Sequence, residues 1–317
     1  MDNTIVHLDL DTFFVSVERL KKPDLLGKPV LIGGLSDRAV VASCSYEARK
    51  YGVRSAMPMK QARMLCPDAI VIKGDMEEYS KLSRMVTDVI AEEAPLYEKT
   101  SIDEHYLDIT GMDRFHGCLR WTQQLRQRII SETGLPISFG LSVNKTVAKI
   151  ATGEAKPSGE LAVFKNQVKP FIFPLPIKKI PGLGEKMQER LRNMGISTVA
   201  QLAELPPDYM LHVFGKNGQA IWEKANGVYQ SAVVPYTERK SIGKEITFYE
   251  DTTDEKTLRE TLISLTEEIG YELRRKGRLA GCISVKIRYA NFDTHTHDHQ
   301  IPYTCADHEL IAQALKL

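Results

Sequence analysis

Cysteine is scarce in this 317-residue chain and shows no pairing pattern. The five cysteines, Cys44, Cys66, Cys118, Cys282 and Cys305, are odd in number, widely spaced and without a C-x-x-C pair. That fits a reducing cytoplasm and does not fit a zinc site. Long apolar runs are missing as well: none approaches the ~20 residues that span a bilayer. The N-terminus lacks the charged-then-apolar plan of a signal peptide. A cytoplasmic protein without a membrane partner is therefore expected. Charge of one sign is not in excess, since 42 Lys and Arg stand against 41 Asp and Glu. With 43% apolar residues global disorder is excluded, and the length allows roughly two to four compact units with their own cores.

What is present is a set of carboxylates on apolar strands. Ser101-Ile102-Asp103-Glu104 sits inside an apolar hairpin over residues 99–110, and Asp9 lies near the end of the strand Ile5-Val-His-Leu-Asp9-Leu. Carboxylates at the ends of neighbouring strands repel one another unless a cation is shared, and hard oxygen ligands of this kind suit Mg²⁺. The layout is that of a two-metal phosphoryl-transfer site. Charge is also divided along the chain. Residues 165–239 carry ten Lys and Arg against six Asp and Glu, whereas residues 76–164, with the carboxylate pair, carry ten against thirteen. A phosphate-tracking surface beside an acidic, metal-binding centre gives this split. Ordinary surface variation gives it too.

The periodicity predicts a strand over residues 1–10 and a small mixed unit over 11–75, with buried strands at Lys28–Gly33 and Ala39–Ser43. Helical spacing over Glu77–Glu93 and Leu119–Thr133 brackets the carboxylate hairpin, and Ile137–Ser142 reads as a strand. Interleaving without a regular βαβ count favours an α+β sheet with helices on one face. Residues 165–235 read as short helices broken at Pro174, Pro176, Pro181, Pro206 and Pro207, and Thr237–Gly243 as a polar linker. Beyond it come a strand from Lys244 to Phe248, a helix over Asp254–Lys276, strands over Ala280–Tyr289 and Thr294–Tyr303, and a helix over Asp307–Leu317. That order leaves a sheet edge unfilled, so the last domain is expected to be truncated.

Further constellations point to phosphate. Ser43, Tyr46 and Arg49 stand three apart, and on a helix or turn they share a face that grips polyphosphate oxygens. A Tyr-x-x-Arg pair also serves as a plain surface contact. Lys156, in Ala155-Lys-Pro-Ser-Gly159, is a point charge on a rigid turn, or simply a loop residue. Pro181-Gly182-Leu183-Gly184 opens a helix over Lys186–Met194 that Gly195 closes. This is the plan of a helix-hairpin-helix whose backbone N–H groups meet phosphate, and equally of a glycine-capped turn between packed helices. Ser284, Lys286 and Arg288 alternate on one strand face, basic or merely solvated. His295, His297 and His299 also share a face, but no further ligand closes a zinc tetrahedron, and they read as outer-face polar residues.

Six ordered motifs then carry a resemblance. They are Asp9-Leu-Asp-Thr-Phe-Phe14, Ser43-Cys-Ser-Tyr46-Glu-Ala-Arg49-Lys-Tyr-Gly52, Ser101-Ile-Asp-Glu104, Gly140-Leu-Ser-Val-Asn-Lys145, Ala155-Lys156-Pro-Ser-Gly159 and Lys240-Ser-Ile-Gly243. In order and spacing the chain resembles a Y-family translesion DNA polymerase, most of all the DNA polymerase IV/kappa branch, over essentially its whole length. The resemblance implies a right-hand architecture. Palm would cover residues 1–10 and 76–166, small fingers 11–75, a helical thumb with the helix-hairpin-helix 167–235, and an incomplete little finger 240–317. The implied activity is template-directed, error-prone addition of dNTPs to a primer-template past damaged bases, without proofreading.

The implied roles follow residue by residue. Asp9, Asp103 and Glu104 match the catalytic carboxylates that bind two Mg²⁺ ions, for which Mn²⁺ substitutes, and Leu10 lends a carbonyl ligand. Phe13, Phe14, Ser43, Tyr46, Arg49 and Lys156 match nucleotide-binding positions. Phe14 is the aromatic gate against a ribose 2′-hydroxyl, while Phe13, on a strand, would point the opposite way into the core. Gly182, Gly184, Lys186, Lys240, Lys244, Lys286 and Arg288 are the expected DNA contacts. Small residues at Ser43, Cys44, Ser45 and Ala56 suggest an open pocket. A monomer is expected, with a sliding clamp as partner of the full-length protein, although no clamp-binding peptide is seen in this sequence.

His105 departs from the small or apolar residue often found there in the family. Beside metal carboxylates its imidazole is expected to titrate near neutrality. Two other classes share part of the pattern. A nucleotidyl cyclase also uses paired carboxylates on a palm-like sheet but has no use for a helix-hairpin-helix. A silent DNA-binding relative would have lost the carboxylates that are present here.

Overall fold

The computed structural model describes residues 3–112, 117–235, 238 and 240–317. They fall into two units, Met1–Tyr236 and Thr237–Leu317, and the linker expected over Thr237–Gly243 lies partly outside the described residues. In the first unit β1 (Ile5–Leu10) leads into α1 (Phe13–Lys21). There follow β2 (Val30–Gly33), β3 (Val41–Cys44), α2 (Tyr46–Lys50), α3 (Met59–Leu65) and β4 (Ile70–Ile72). The chain continues through α4 (Met76–Glu93), β5 (Tyr97–Lys99), β6 (Glu104–Asp108), α5 (Cys118–Thr133), β7 (Ile137–Ser142), α6 (Lys145–Ala155) and β8 (Glu160–Ala162).

A five-stranded sheet in the order β5-β6-β1-β7-β8 is the frame of the site. Strand alternation divides β1 between two faces. Val6, Leu8 and Leu10 enter a core with Val86, Val89 and Ile90 of α4 and Trp121, Leu125 and Ile129 of α5. Ile5, His7 and Asp9 face the other way, where α6 crosses the sheet and His7 bonds to Thr152. Helices therefore cover both faces and not one as expected from the pattern, because α6 carries its own apolar stripe. The crossing is close: a Cβ on Gly140 would lie 2.1 Å from the Ala148 carbonyl oxygen and 2.5 Å from the Thr152 nitrogen. Gly140→Val is expected to destabilise the first unit by about 3 kcal/mol through overpacking against backbone that cannot yield locally. Urea denaturation checks this, and an unshifted midpoint would refute the tight crossing.

The small sheet β3-β2-β4 packs its own core from Leu31, Val41, Cys44, Ala48 and Met59. Cys44 and Ser45 are fully buried, and the Ser45 hydroxyl caps α2 by accepting from Ala48 N at 3.2 Å. Cys44 and Ser45 therefore fill a core and a cap, while Ala56 is exposed. Further along, α7 (Val168–Ile172), α8 (Glu185–Asn193), α9 (Val199–Ala203) and α10 (Pro207–Ala225, broken at Gly215) gather around Val147 and Ile150 of α6. Gly182 (φ 85°) turns the chain before α8 and Gly195 (φ 81°) turns it after, conformations that a Cβ disfavours.

In the second unit Asp254 caps α11 (Glu255–Arg275), which is followed by the antiparallel pair β9 (Ala280–Arg288) and β10 (Thr294–Thr304) and by α12 (Asp307–Ala314). The strand expected over Lys244–Phe248 does not form. Its side chains reach neighbours, Lys244 to Glu268 and Glu245 to Lys286, but no backbone ladder joins it to the sheet. A strand needs a partner edge as well as a fitting local pattern. Among the described residues no helix is long and apolar enough to cross a membrane.

Candidate active site

Antiparallel pairing sets Asp9 of β1 directly opposite Glu104 of β6, and the Leu10 N–H donates to the Asp103 carbonyl at 3.1 Å. Three carboxylates thus meet at one end of the sheet, as their sequence positions predicted. Ser101 shapes the approach to β6. Its hydroxyl donates to Asp103 Oδ1 at 2.5 Å and accepts from the backbone nitrogens of Asp103 and Glu104 at 3.2 and 3.0 Å. Lys149 of α6 donates to both Glu104 oxygens, at 2.7 and 2.5 Å. Lys156 donates to Asp9 Oδ1 at 2.5 Å.

The electrostatics call for cations. Burial first, then the Glu104 and Asp103 charges, push the Asp9 carboxyl up to about 7 against the pull of Lys156. Burial also opposes charge on Glu104, but the neighbouring His7 and the Lys149 ammonium outweigh it and hold that carboxyl down at about 2. His7 Nε2 is 3.8 Å from Glu104 Oε2, too long for a hydrogen bond, so the short contacts of Lys149 do most of this work. Among the described residues no three His, Cys, Asp or Glu side chains form a ready metal cage: Asp9 is turned to Lys156, Glu104 to Lys149 and Asp103 to Ser101. The donor set nonetheless fits a divalent ion. The Lys156 ammonium already stands as a cation between Asp9 Oδ1 and the Leu10 carbonyl, the latter at 3.5 Å, and hard carboxylate and carbonyl oxygens are the donors that Mg²⁺ takes.

Tyr46 and Arg49 lie one turn apart on α2, with the guanidinium 5.0 Å from the Tyr46 ring centroid. Ser43 does not share their face: it is buried on β3, before the Ser45 cap starts the helix. The Tyr46 hydroxyl donates to Asp11 Oδ1 at 3.1 Å, which brings the phenol to the end of β1. Phe13 and Phe14 open α1, so they diverge by a helical step and not by strand alternation. Phe13 is 3% exposed, in the core, and its ring is not available to a nucleotide. Phe14 is half-buried and lies parallel on the Tyr79 ring, centroids 4.4 Å apart. Tyr79 is in turn fixed by its hydroxyl, which donates to Glu18 Oε1 at 2.8 Å.

The histidine singled out by its neighbours in sequence proves to be on the wrong side of the sheet. His105 is fully buried against α4, with Nε2 3.0 Å from the Thr87 hydroxyl. Burial, then the charge of Lys99, push it down to about 3, so it stays neutral at neutral pH. His7 faces the carboxylates instead, its ring against Tyr106 and its Nδ1 2.9 Å from the Thr152 hydroxyl. Period-two alternation from Asp9 marks His7 and Asp11 in the sequence. Nothing local marks Lys149.

The expected DNA contacts are divided between the two units. Lys186 is exposed at the start of α8, and a Cβ on Gly184 would meet open space, so of the two turn glycines only Gly182 is conformationally required. In the second unit Lys240 is exposed outside any regular element. Lys244 pairs with Glu268 at 2.9 Å, Lys286 pairs with Glu245, and Arg288 donates to the Thr294 hydroxyl at 3.0 Å. Ser284, Lys286 and Arg288 are all exposed on β9. His295, His297 and His299 stand opposite Ile287, Val285 and Ile283 on the other face.

Family models place this geometry. The impB/mucB/samB family matches residues 8–153, its C-terminal domain residues 239–317, and the helix-hairpin-helix motif of the same family residues 165–196. The chain belongs to the impB/mucB/samB family, that of the Y-family DNA polymerases. It is 38% identical over 316 residues to the DNA polymerase IV of Dehalococcoides mccartyi, covering 99% of this chain and 81% of that one. It is 36% identical over 318 residues to the DNA polymerase IV of Shewanella woodyi, covering 98% and 87%. Among solved structures, a Y-family chimera of Dbh and Dpo4 matches with TM-score 0.88 at 25% identity, over 99% of this chain and 92% of that one. DinB from Sulfolobus solfataricus matches with TM-score 0.70 at 25% identity, over 99% and 94%.

Proposed function

We propose that this Y-family DNA polymerase adds dNTPs to a primer 3′-hydroxyl by two-metal nucleotidyl transfer, tolerating template damage and without proofreading. The observation that carries the reading is the meeting of Asp9, Asp103 and Glu104 at one sheet end, where the Lys156 ammonium already bridges Asp9 and the Leu10 carbonyl. These four residues would hold two Mg²⁺ ions, or Mn²⁺ in the same oxygen set, which when bound lower the pKa of the primer hydroxyl and stabilise the pyrophosphate leaving group. The chain's own part is positioning. Tyr46, Arg49 and Lys156 receive the triphosphate, with Ser43 behind them, and Phe14 sits beneath the sugar. No side chain has to act as a strong base. Primer extension on a templated duplex tests the reading: templated addition supports it, whereas duplex binding without addition, or cyclisation of the nucleotide, refutes it.

Grip on DNA is assigned to the Gly182 turn, Gly184 and Lys186, and to Lys240, Lys244, Lys286 and Arg288. Because phosphates and not base edges are met, primer-template affinity is expected to fall steeply with added salt and hardly to change with sequence. Gly182→Val is expected to weaken binding about tenfold, since its φ of 85° is closed to a branched residue, while Gly184→Ala costs much less. Fluorescence anisotropy at several salt concentrations checks this. A flat titration, or equal losses at both glycines, counts against it.

A further inference from the structure

Asp11 is the second carboxylate of Asp9-Leu10-Asp11 and is 2% exposed. Its backbone is pinned on both sides: its N–H donates to the Pro136 carbonyl at 2.9 Å, and its carbonyl accepts from the Ser16 hydroxyl at 2.6 Å. The side chain collects donors from three separate parts of the chain. Oδ1 accepts from the Tyr46 hydroxyl of α2 at 3.1 Å. Oδ2 accepts from the Ser138 hydroxyl of β7 at 2.8 Å and from the Ser158 N–H at 2.8 Å. Ser158 belongs to the turn that presents Lys156, whose ammonium is 3.9 Å from Oδ1.

That turn has other ties as well: Arg126 Nη2 donates to the Ser158 carbonyl at 2.7 Å and the Phe139 N–H to the Gly159 carbonyl at 3.1 Å. Its far end is fixed by the Gly159 N–H, which donates to the Ser138 hydroxyl at 3.2 Å, and Gly159 passes so close to Ala155 that a Cβ would lie 2.0 Å from its carbonyl oxygen. Ser138 therefore ties the turn to Asp11 a second time. One buried carboxylate thus joins Tyr46, on the small mixed unit, to Lys156, on the large sheet's own turn.

We propose that Asp11 is a positioning residue that sets both grips on the incoming triphosphate, the Tyr46 phenol and the Lys156 ammonium, in one spatial relation. It touches no substrate. The proposal rests on the assignment of Tyr46 and Lys156 to the triphosphate made above. Hydrogen bonds to a charged acceptor hold geometry more firmly than neutral ones, and a carboxylate that accepts without donating suits three converging donors. Pre-set grips spare the nucleotide the ordering cost that it would otherwise meet on binding.

Steady-state single-nucleotide insertion by the whole chain tests this, alongside anisotropy for DNA affinity and thermal melting. Asp11→Ala is expected to raise KM for dNTP about tenfold to a hundredfold, as one or two charge-assisted hydrogen bonds imply, with kcat and DNA affinity within about threefold. Ser138→Ala, which removes one donor to Asp11 away from the nucleotide, should raise KM in the same direction by a smaller factor of about three. Combined with Lys156→Ala, the loss in Asp11→Ala should fall well short of multiplying, since both act through one group. A lowered melting temperature with unchanged KM in both single variants is what a purely structural aspartate gives, and overturns the proposal; so does full multiplication. If Asp11→Ala does not fold, Ser138→Ala decides alone by the same readout. An unchanged KM in Lys156→Ala removes the triphosphate assignment and the role of Asp11 with it, whereas a raised KM there beside unchanged values in the other two variants removes Asp11 only.

Discussion

Alanine at Asp103 or at Glu104 is expected to abolish nucleotide addition, by at least about a thousandfold, while primer-template binding stays near the wild-type value. The size follows from metal charge stabilisation worth several kcal/mol, with each ~1.4 kcal/mol amounting to tenfold in rate. Sparing of DNA affinity follows from the assignment of the phosphate contacts to Gly182, Gly184 and Lys186 and to Lys240, Lys244, Lys286 and Arg288, none of which is one of the three carboxylates. The two variants differ in side effects. Asp103→Ala frees the Ser101 hydroxyl, which still accepts from two backbone nitrogens, so the turn keeps its shape. Glu104→Ala leaves the Lys149 ammonium without its two short contacts. Primer extension measured beside a mobility-shift assay checks both, and extension by either variant at near wild-type rate would remove the two-metal assignment.

Phe14→Ala is expected to admit ribonucleotides, raising rNTP insertion relative to dNTP roughly a hundredfold or more while deoxynucleotide addition survives. A 2′-hydroxyl held against the Phe14 ring finds both a clash and no hydrogen-bond partner, and it is the unpaired polar group that makes such discrimination large. The ring cannot swing aside. It is stacked on Tyr79, which is fully buried and bonded to Glu18. Phe13→Ala provides the contrast: at 3% exposure its loss opens a cavity in the main core, worth about 3 kcal/mol or more of stability, without a change in sugar preference. Single-nucleotide insertion with rNTP against dNTP decides, and an unchanged preference in Phe14→Ala would sink the gate.

Much of the site was legible because it obeys short-range rules. Apolar alternation around Asp9 and around Glu104 places both carboxylates on strands, and Asp9 offers the partner that the Asp103-Glu104 pair calls for. The Tyr46 and Arg49 spacing predicts one helical face, and α2 has it. Other readings failed for local reasons of their own. Ser43 lies before the Ser45 cap and so belongs to a strand. Phe13 and Phe14 follow a left-handed Thr12 (φ 42°) into a helix, which makes the strand rule inapplicable. Lys244–Phe248 has strand composition but no edge to pair with.

Residue chemistry and strand parity were thus determined by the sequence alone, since which oxygens lie together at a strand end depends on a period of two and on neighbouring residues. Parity does not say which face becomes the site. His7 and His105 are both histidines two or fewer residues from one of the three carboxylates, yet the crossing of α6 over Gly140 puts the first on their face of the sheet and the packing of α4 buries the second against Thr87. The same crossing brings Lys149 to Glu104 across 45 residues and Lys156 to Asp9 across 147. The role of Asp11 as a junction also comes from tertiary structure, since its donors sit 35, 127 and 147 residues away. Contacts at such separations are set by how whole elements pack, and no local propensity carries that information.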